Sequence, residues 1–258
     1  MTVIKFEKYQ GCGNDFILID NRKNNVQLSK NQIFSLCERR FGIGADGFIE
    51  IIKTENNHFL MNYYNSDGNL SSLCGNGSRC AVSYAHKKQM ILNNASFTSN
   101  GIKNKCRING VDVEIEMNAI SKINKNELGH YILDTGSPHY IIFDSIKDEE
   151  LIEKARAVRY SDTFPDGINV NWAIEIGKNE LFVRTYERGV EDETYSCGTG
   201  VTAAALAYAH EYKIKNDIIK IKTKGGNFLI QFGEEKEHFE NVKLKGAATF
   251  VFEGEITI

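Results

Sequence analysis

Two cysteines of this chain stand in the same local sequence. Cys74 opens CGNGSRCAVSYA and Cys197 opens CGTGVTAAALAYA, 123 residues further on. Each thiol precedes glycines and then a run that reads as a helix, so each is expected at a helix N-terminus. The first N–H groups of a helix have no partner inside it, and that end carries roughly half a positive charge. The backbone at Gly75 and Asn76, and at Gly198 and Thr199, can therefore hold a carboxylate. The same field favours a thiolate: a free cysteine titrates near ~8.5, and helix N-termini lower that to roughly 3.5–7.5. One such loop is as well explained by a tight turn over a buried thiol; two in matched positions favour reactive thiols. Two thiols facing one carboxylate suggest removal of an α-proton from one face and delivery of a proton to the other, which inverts the carbon. The helix ends would stabilise the charge that develops on the carboxylate.

The elements that position these residues are themselves repeated. Gly13 opens GNDFILID and Gly136 opens GSPHYIIFD; Phe41 opens FGIGADGFIEI and Phe164 opens FPDGINVNWAIEI. Both pairs share the 123-residue offset of the cysteines. This predicts two copies of one α/β unit with pseudo-two-fold symmetry and a ligand site in the cleft between them. Alternation or short apolar runs mark strands at VIKFEKY, FILID, GFIEIIK and HFLMNYY, then at GHYILD, HYIIF, INVNWAIEI and ELFVRTY. SKNQIFSLCERR reads as a helix capped by Ser29, with Ile33, Leu36, Cys37 and Arg40 at helical spacing, and KDEELIEKARAV as its counterpart. AAALAYA, from Ala203 to Ala209, is apolar on nearly every face and is expected to be buried all round, as the filling of a curved sheet.

Composition excludes several classes. The 258 residues are 41% hydrophobic and 25% charged with a net charge of −3, so neither nucleic acid nor an anionic membrane is an expected partner. No apolar run approaches the ~20 residues of a membrane span, and the charged, alternating MTVIKFEKYQ does not read as a signal peptide. The six cysteines are expected to be reduced in a cytoplasmic protein, with Cys37 and Cys106 as small buried hydrophobes. With no C-x2-C pair, no zinc site is expected. GIGADG, at Gly42, Gly44 and Gly47, matches a dinucleotide fingerprint in letters, but a helix pattern precedes it and a strand follows, the reverse of what that motif requires. It reads as a helix-to-strand turn. No pyridoxal or nicotinamide signature is evident, and no cofactor is expected.

GCGNDFILID, RRFGIGADG, YYNSDGNLSSLCGNGSRC, GSPHYIIF, INVNWAIEI and YERGVEDETYSCGTGVTAAA together resemble the diaminopimelate epimerase family, in the family's order and along nearly the whole chain. The resemblance implies an α/β fold of the α+β type, with two pseudo-symmetric half-domains, each a mixed curved sheet round a central helix. The divisions expected are 1–119 with a returning strand at 247–258, and 120–246. The activity implied is cofactor-independent interconversion of LL- and meso-2,6-diaminopimelate, on the route to lysine and cell-wall precursors. A small-molecule substrate and a homodimer are the expected partners. The resemblance assigns Cys74 and Cys197 as the acid/base thiols, with His139 and Glu187 orienting or polarising them. Asn14, Asn65, Asn169 and Arg188 match substrate-holding positions. The family often has Asn where this chain has Ser137 and Gln where it has Gly47, and the segment from Val190 to Ser196 is one residue longer than the family's. Other cofactor-independent racemases of the same fold, acting on proline, hydroxyproline or histidine, are the alternative enzymes, and GNDF, NSDG and YERG favour diaminopimelate. A non-catalytic dithiol or metal-binding protein is the alternative of another class.

Overall fold

The computed structural model describes residues 3–23, 26–71, 74–120, 122–235 and 238–258. Ser72 and Leu73, inside the motif that leads to Cys74, lie outside the described residues. The chain divides into two compact units, Met1–Ile115 with Gly246–Ile258, and Glu116–Lys245.

The first unit contains β1 (Val3–Gly11), β2 (Asn14–Asp20), α1 (Lys30–Cys37), β3 (Gly47–Glu55), β4 (His58–Asn65), α2 (Gly75–Lys87), β5 (Asn94–Ser99), β6 (Ile102–Asn109) and β7 (Asp112–Glu116). The second contains β8 (Ile123–Lys125), β9 (Tyr131–Asp134), β10 (Pro138–Ile142), α3 (Asp148–Arg159), β11 (Asn169–Gly177), β12 (Glu180–Glu187), β13 (Asp192–Thr194), α4 (Gly198–Tyr212), β14 (Ile218–Thr223), β15 (Gly226–Glu235) and β16 (His238–Ala247). A last strand, β17 (Thr249–Thr257), returns to the first unit and pairs antiparallel with β1.

Pairing follows one pattern in both units. From β17 the first runs to β1, β2, β3, β4, β5, β6 and β7, antiparallel except for the parallel pairs β2–β3 and β4–β5. From β8 the second runs to β9, β10, β11, β12, β14 and β15, antiparallel except for β10–β11 and β12–β14. Each parallel pair is joined through a helix, as a crossover requires. The sequence repeat is thus a repeat of topology, with β13 added on β12 in the second unit.

Each sheet is buried on both faces, which is why its middle strands read as apolar runs rather than clean alternations. In β2, Ile17 and Ile19 join Ile33, Leu36 and Cys37 of α1 in one apolar cluster, while Phe16 faces α2. In the second unit Tyr140, Val170, Trp172 and Tyr186 pack with Leu151 and Ala155 of α3. Helix α4 is buried along the whole stretch Gly198–Ala209, as its apolar composition demands. Cys37 and Cys106 are buried, and burial pushes both thiols up to about 12.

Helix α1 starts as its sequence dictates. Ser29 and Gln32 form a reciprocal capping box: Gln32 N–H donates to Ser29 Oγ at 3.3 Å and Ser29 N–H to Gln32 Oε1 at 2.9 Å. Its end corrects the expectation for Arg40, which lies beyond the helix. Glu38 turns extended and its carboxylate takes the Arg40 and Phe41 N–H groups at 2.6 and 2.7 Å. The Leu36 carbonyl is claimed by the N–H groups of Ile43 and Gly44, and that of Cys37 by Ala45. This folds GIGADG into a helix-to-strand turn.

The longer Val190–Ser196 segment is fastened by carboxylates. Glu191, at φ 61°, accepts from Arg159 Nη2 at 2.8 Å, Tyr160 Oη at 2.8 Å, Tyr186 Oη at 3.0 Å and Gly189 N–H at 3.0 Å. Glu193 pairs with Arg184 through two bonds of 2.7 Å. Burial opposes the charge on Glu191, but these donors more than offset it and the carboxyl titrates at about 2. A carboxyl with a depressed folded pKa stabilises the fold above its ordinary value, here 4.5, and loses that contribution as pH falls through about 2. Glu191→Gln is therefore expected to cost about 1–2 kcal/mol near neutral pH, allowing for solvent screening. Melts of both proteins between pH 7 and pH 3 check this: the gap in Tm should narrow with acidification, and a gap independent of pH would contradict it.

Candidate active site

Each cysteine occupies the N-cap position of its helix, and the Cys74 side chain also accepts a capping hydrogen bond. Cys74 has φ −103° and ψ 115°, Cys197 φ −125° and ψ 115°, both extended, while their carbonyls already accept the first helical N–H groups, from Ser78 at 2.8 Å and Val201 at 2.9 Å. This is the half-in geometry of an N-cap, with sulfur where Ser or Asp usually supplies oxygen. Gly75 and Asn76, like Gly198 and Thr199, form the buried first turns that follow. Neither helix has an acidic residue in its first turn to neutralise the positive end.

Glycine permits these helix starts to press on the strands. A Cβ on Gly77 would stand 3.2 Å from both Ile49 Cδ1 and Phe16 Cε1. One on Gly200 would stand 2.5 Å from Asn171 Oδ1 and 3.2 Å from His139 Cε1 and Thr185 Oγ1. The last residue of each CGxG motif is thus where the backbone of the helix meets the sheet.

In the first unit, Gly77 N–H donates to Cys74 Sγ at 3.4 Å, and Asn14 Oδ1 lies 3.9 Å from the sulfur. Asn14 is held from behind by Nδ2 donating to Asp46 Oδ2 at 2.5 Å. Asp46 and Asp15 share Arg39, and Lys8 pairs with Asp15 at 2.8 Å. Burial opposes ionisation of Asp15, but Arg39 and Lys8 hold its carboxyl well below the ordinary range, whereas burial and the adjacent Asp15 charge raise Asp46. Asn76 is buried and its Oδ1 accepts from the buried Arg79 at 2.8 Å. Asn65 ends β4 exposed, in a turn where its N–H donates to the Asn69 carbonyl. At Gly47 a Cβ would lie 2.7 Å from Tyr63 Cε2 and 2.8 Å from the Tyr64 carbonyl oxygen, so a side chain would displace β4.

In the second unit, Cys197 Sγ lies 3.4 Å from Thr199 Oγ1, and Thr199 Oγ1 lies 2.9 Å from His139 Nε2. His139 is completely buried on β10. Burial, and then the nearby Arg188 charge, push it down to about 3, so it is neutral. Thr199 stands between its ring and the sulfur, within hydrogen-bond reach of both. Asn169 is committed on three sides: Oδ1 accepts Arg188 N–H at 2.9 Å, and Nδ2 donates to Ser137 Oγ and the Pro138 carbonyl, each at 2.9 Å. Ser137 therefore takes up part of the Asn169 amide. Glu187 ends β12, half-buried, and the adjacent Arg188 donates through Nη1 to the carbonyls of Asp166 and Gly167 at 3.2 and 3.3 Å.

The structure thus gathers Asn14, Cys74, Gly75 and Asn76 around one helix start, and His139, Cys197, Gly198 and Thr199 around the other. Sequence reasoning missed Asp46 behind Asn14, and Asn171 and Thr185 behind His139. The signal for the last two lay in strand periodicity. Asn171 shares a face with Asn169 and is fully buried where that strand meets the start of α4, so its amide had to find partners there. Among the described residues no three His, Cys, Asp or Glu side chains form a group that could hold a metal ion. No described helix is long and apolar enough to cross a membrane.

Gly200→Ala is expected to cost about 1–3 kcal/mol, as overpacking of a filled site does, and more than Gly77→Ala, whose methyl would meet yielding hydrocarbon. Urea unfolding of the two variants checks the order. Equal or reversed costs would contradict it.

The family model described as "Diaminopimelate epimerase" matches residues 6–122 and 131–251. A diaminopimelate epimerase of Flavobacterium psychrophilum is 42% identical over 258 residues, covering 97% of this chain and 99% of its own. That of Chlorobaculum tepidum is 36% identical, covering 96% and 99%, and that of Aquifex aeolicus 34%, covering 98% of each. Among solved structures, a phenazine biosynthesis protein of the PhzF family from Bacillus anthracis superposes with a TM-score of 0.77 at 14% identity over all of both chains. A hydroxyproline epimerase from Agrobacterium vitis gives 0.70 at 12% identity, covering 98% of this chain and 92% of its own. These two likenesses establish the fold, a pair of half-domains of this epimerase type.

Proposed function

The chain belongs to the diaminopimelate epimerase family, and from that membership we propose how its residues perform the reaction. The enzyme is an isomerase, and it interconverts LL- and meso-2,6-diaminopimelate. Cys74 and Cys197 are the two proton carriers. One, as thiolate, removes the α-proton; the other, as thiol, delivers a proton to the opposite face, so the carbon inverts and each turnover leaves the two thiols with exchanged protonation. The single observation that carries this is that both cysteines occupy the N-cap positions of helices matched in position, with matched backbone geometry. The helix N-termini attract the α-carboxylate and stabilise the charge that spreads onto it as the proton leaves. The reading needs no pyridoxal group and no metal.

His139 and Thr199 support Cys197, and Asn14 borders Cys74; Glu187 is assigned to orienting the reacting end. The distal amino-carboxylate is assigned to Arg188, Asn14, Asn65 and Asn169. The described side-chain bonds of Arg188 run through Nη1, which leaves the Nε–Nη2 edge to grip a carboxylate through two parallel bonds. Asn169 has spent both amide protons but retains a lone pair on Oδ1 for an ammonium. A site of this kind rejects substrates without the distal groups, because its polar atoms would be left buried and unpaired. The protein is assigned to the cytoplasm, and a homodimer is its proposed assembly.

Incubation with LL-diaminopimelate in deuterated water, without added cofactor, tests the reaction: the meso isomer should appear carrying deuterium at one α-carbon. Cys74→Ala and Cys197→Ala should each lose more than the ~10²–10⁴-fold usual for one acid/base group, since neither thiol can serve the other's face. Substantial turnover by either variant would defeat the two-thiol mechanism.

Substrate choice is tested separately. Arg188→Lys should stay folded and lose most activity, because an ammonium cannot reproduce the bidentate grip. Proline and histidine should be poor substrates. Comparable kcat/KM on either would overturn the substrate assignment and leave the thiols in place.

A further inference from the structure

The two units carry the same thiol on the same helix start, yet the residues behind that start differ in kind. Strand registers make the comparison exact in position. Phe16 lies opposite Gly47 and Ile49 opposite Tyr63 in the first unit; His139 lies opposite Asn169 and Asn171 opposite Thr185 in the second. Phe16, Ile49 and Tyr63 thus correspond to His139, Asn171 and Thr185. Gly77 touches the first set and Gly200 the second. In the first unit the space is filled by Ile49 and two aromatic rings, with Phe16 and Tyr63 in edge-to-face contact, ring centroids 6.0 Å apart. In the second unit three buried polar side chains occupy it, none more than 2% exposed. Gly77 meets only carbon atoms of Ile49 and Phe16, so packing on the helix start does not by itself call for the polar set of the second unit, whose burial is costly unless every group is paired.

Every group is paired, and in one direction only. The Tyr140 carbonyl oxygen can only accept, and it lies 3.2 Å from the Asn171 amide nitrogen. This fixes which way the carboxamide points. Its Oδ1 accepts from Thr185 Oγ1 at 2.8 Å, and its second N–H points at His139 Nδ1, 3.1 Å away. His139 Nδ1 is then an acceptor, so in the neutral ring the proton resides on Nε2. Nε2–H donates to Thr199 Oγ1 at 2.9 Å. With that lone pair occupied, the Thr199 hydroxyl proton is free to point at Cys197 Sγ, 3.4 Å away.

We propose that Asn171 and Thr185 are positioning residues that act through His139 and Thr199 to aim a permanent hydroxyl donor at Cys197, favouring its thiolate. At the corresponding positions the first unit has Phe16, Ile49 and Tyr63 in place of the imidazole, carboxamide and threonine hydroxyl, and there the Gly77 N–H donates to the Cys74 sulfur. The inference rests on Cys197 being one of the proton carriers. Burial and the Arg188 charge keep His139 neutral, which preserves the direction of the chain across the working pH range. Arg188, just beyond β12, is the charged group that acts on His139, and α4 has no acid in its first turn.

Nitrogen-15 spectra of the His139 ring, and the pH dependence of Cys197 alkylation by iodoacetamide read by peptide mapping, test this without relying on activity. His139 is expected as the Nε2–H tautomer from pH 5 to 9. Asn171→Asp presents an acceptor to Nδ1 and should invert the tautomer, turning the Thr199 hydroxyl towards His139. Alkylation of Cys197 should then titrate at higher pH in Asn171→Asp and in Thr199→Val, and at the wild-type pH in Thr199→Ser. In both affected variants kcat should fall roughly 10–100-fold, the contribution of one hydrogen bond to a charged group, with KM little changed. Added to Thr199→Val, Asn171→Asp should shift the titration no further. An Nδ1–H tautomer in the wild-type protein, an unmoved Cys197 titration in Thr199→Val, or additive shifts in the double variant would each overturn the chain. If Asn171→Asp does not fold, the wild-type tautomer and the Thr199 pair decide the matter alone. These outcomes are distinct from failure of the two-thiol mechanism, which activity in Cys197→Ala reveals.

Discussion

Beginning a helix inside a protein is the constraint on which this structure depends. The first N–H groups of α2 and α4 belong to buried first turns, and such groups are costly to leave without acceptors. The cap residue, the glycine at the sheet contact and the polar or apolar lining behind it all follow from that one requirement. A cysteine at the cap meets it weakly, since sulfur is a poor acceptor. The positive end of the helix is therefore left with capacity for a carboxylate and for a thiolate, and a stability problem becomes an anion site.

The strands exist to make that helix start buildable. Two parallel pairs in each unit force helical crossovers, and one crossover in each copy threads its helix along the inner face of the sheet. The outer face is closed by a second helix, α1 or α3, over matched apolar clusters. With both faces covered, alternate residues of β2 and β10 serve different masters: Ile17 and Tyr140 pack outward while Phe16 and His139 line the helix start. Site and core are thus interleaved residue by residue along the same strands.

Duplication of the unit did not duplicate its chemistry. Asn14 presents an acceptor near Cys74, braced by the Asp15, Asp46 and Arg39 cluster, while Thr199 brings a hydroxyl near Cys197. A reaction that takes a proton with one group and gives it with another has no need of identical surroundings for the two. The departures from the family pattern are absorbed locally. Ser137 accepts from the Asn169 amide, Gly47 sits where the Tyr63 ring and Tyr64 carbonyl leave no space, and Glu191 and Glu193 tie down the longer segment.

The sequence alone determined what local rules govern. Glycines after Cys74 and Cys197, the all-apolar AAALAYA and the constant 123-residue offset revealed two helix starts, a buried helix and a repeated unit, because helix capping, burial and duplication each leave a short, regular trace. Ser29 likewise announced the start of α1, and the structure adds Gln32 as its partner in the capping box. The extent of α1 was not legible, because its last carbonyls are claimed by the N–H groups of Ile43, Gly44 and Ala45, which belong to a turn the helix pattern does not contain. Nor was the work of His139 legible. Nothing near Pro138 in sequence shows that its ring meets Asn171 and Thr199, residues 32 and 60 positions away. Those contacts come from strand register and from the approach of α4 at Gly200. Tertiary structure also decided the direction of every proton in that chain, through a single carbonyl oxygen, that of Tyr140, which can accept a hydrogen bond and never donate one.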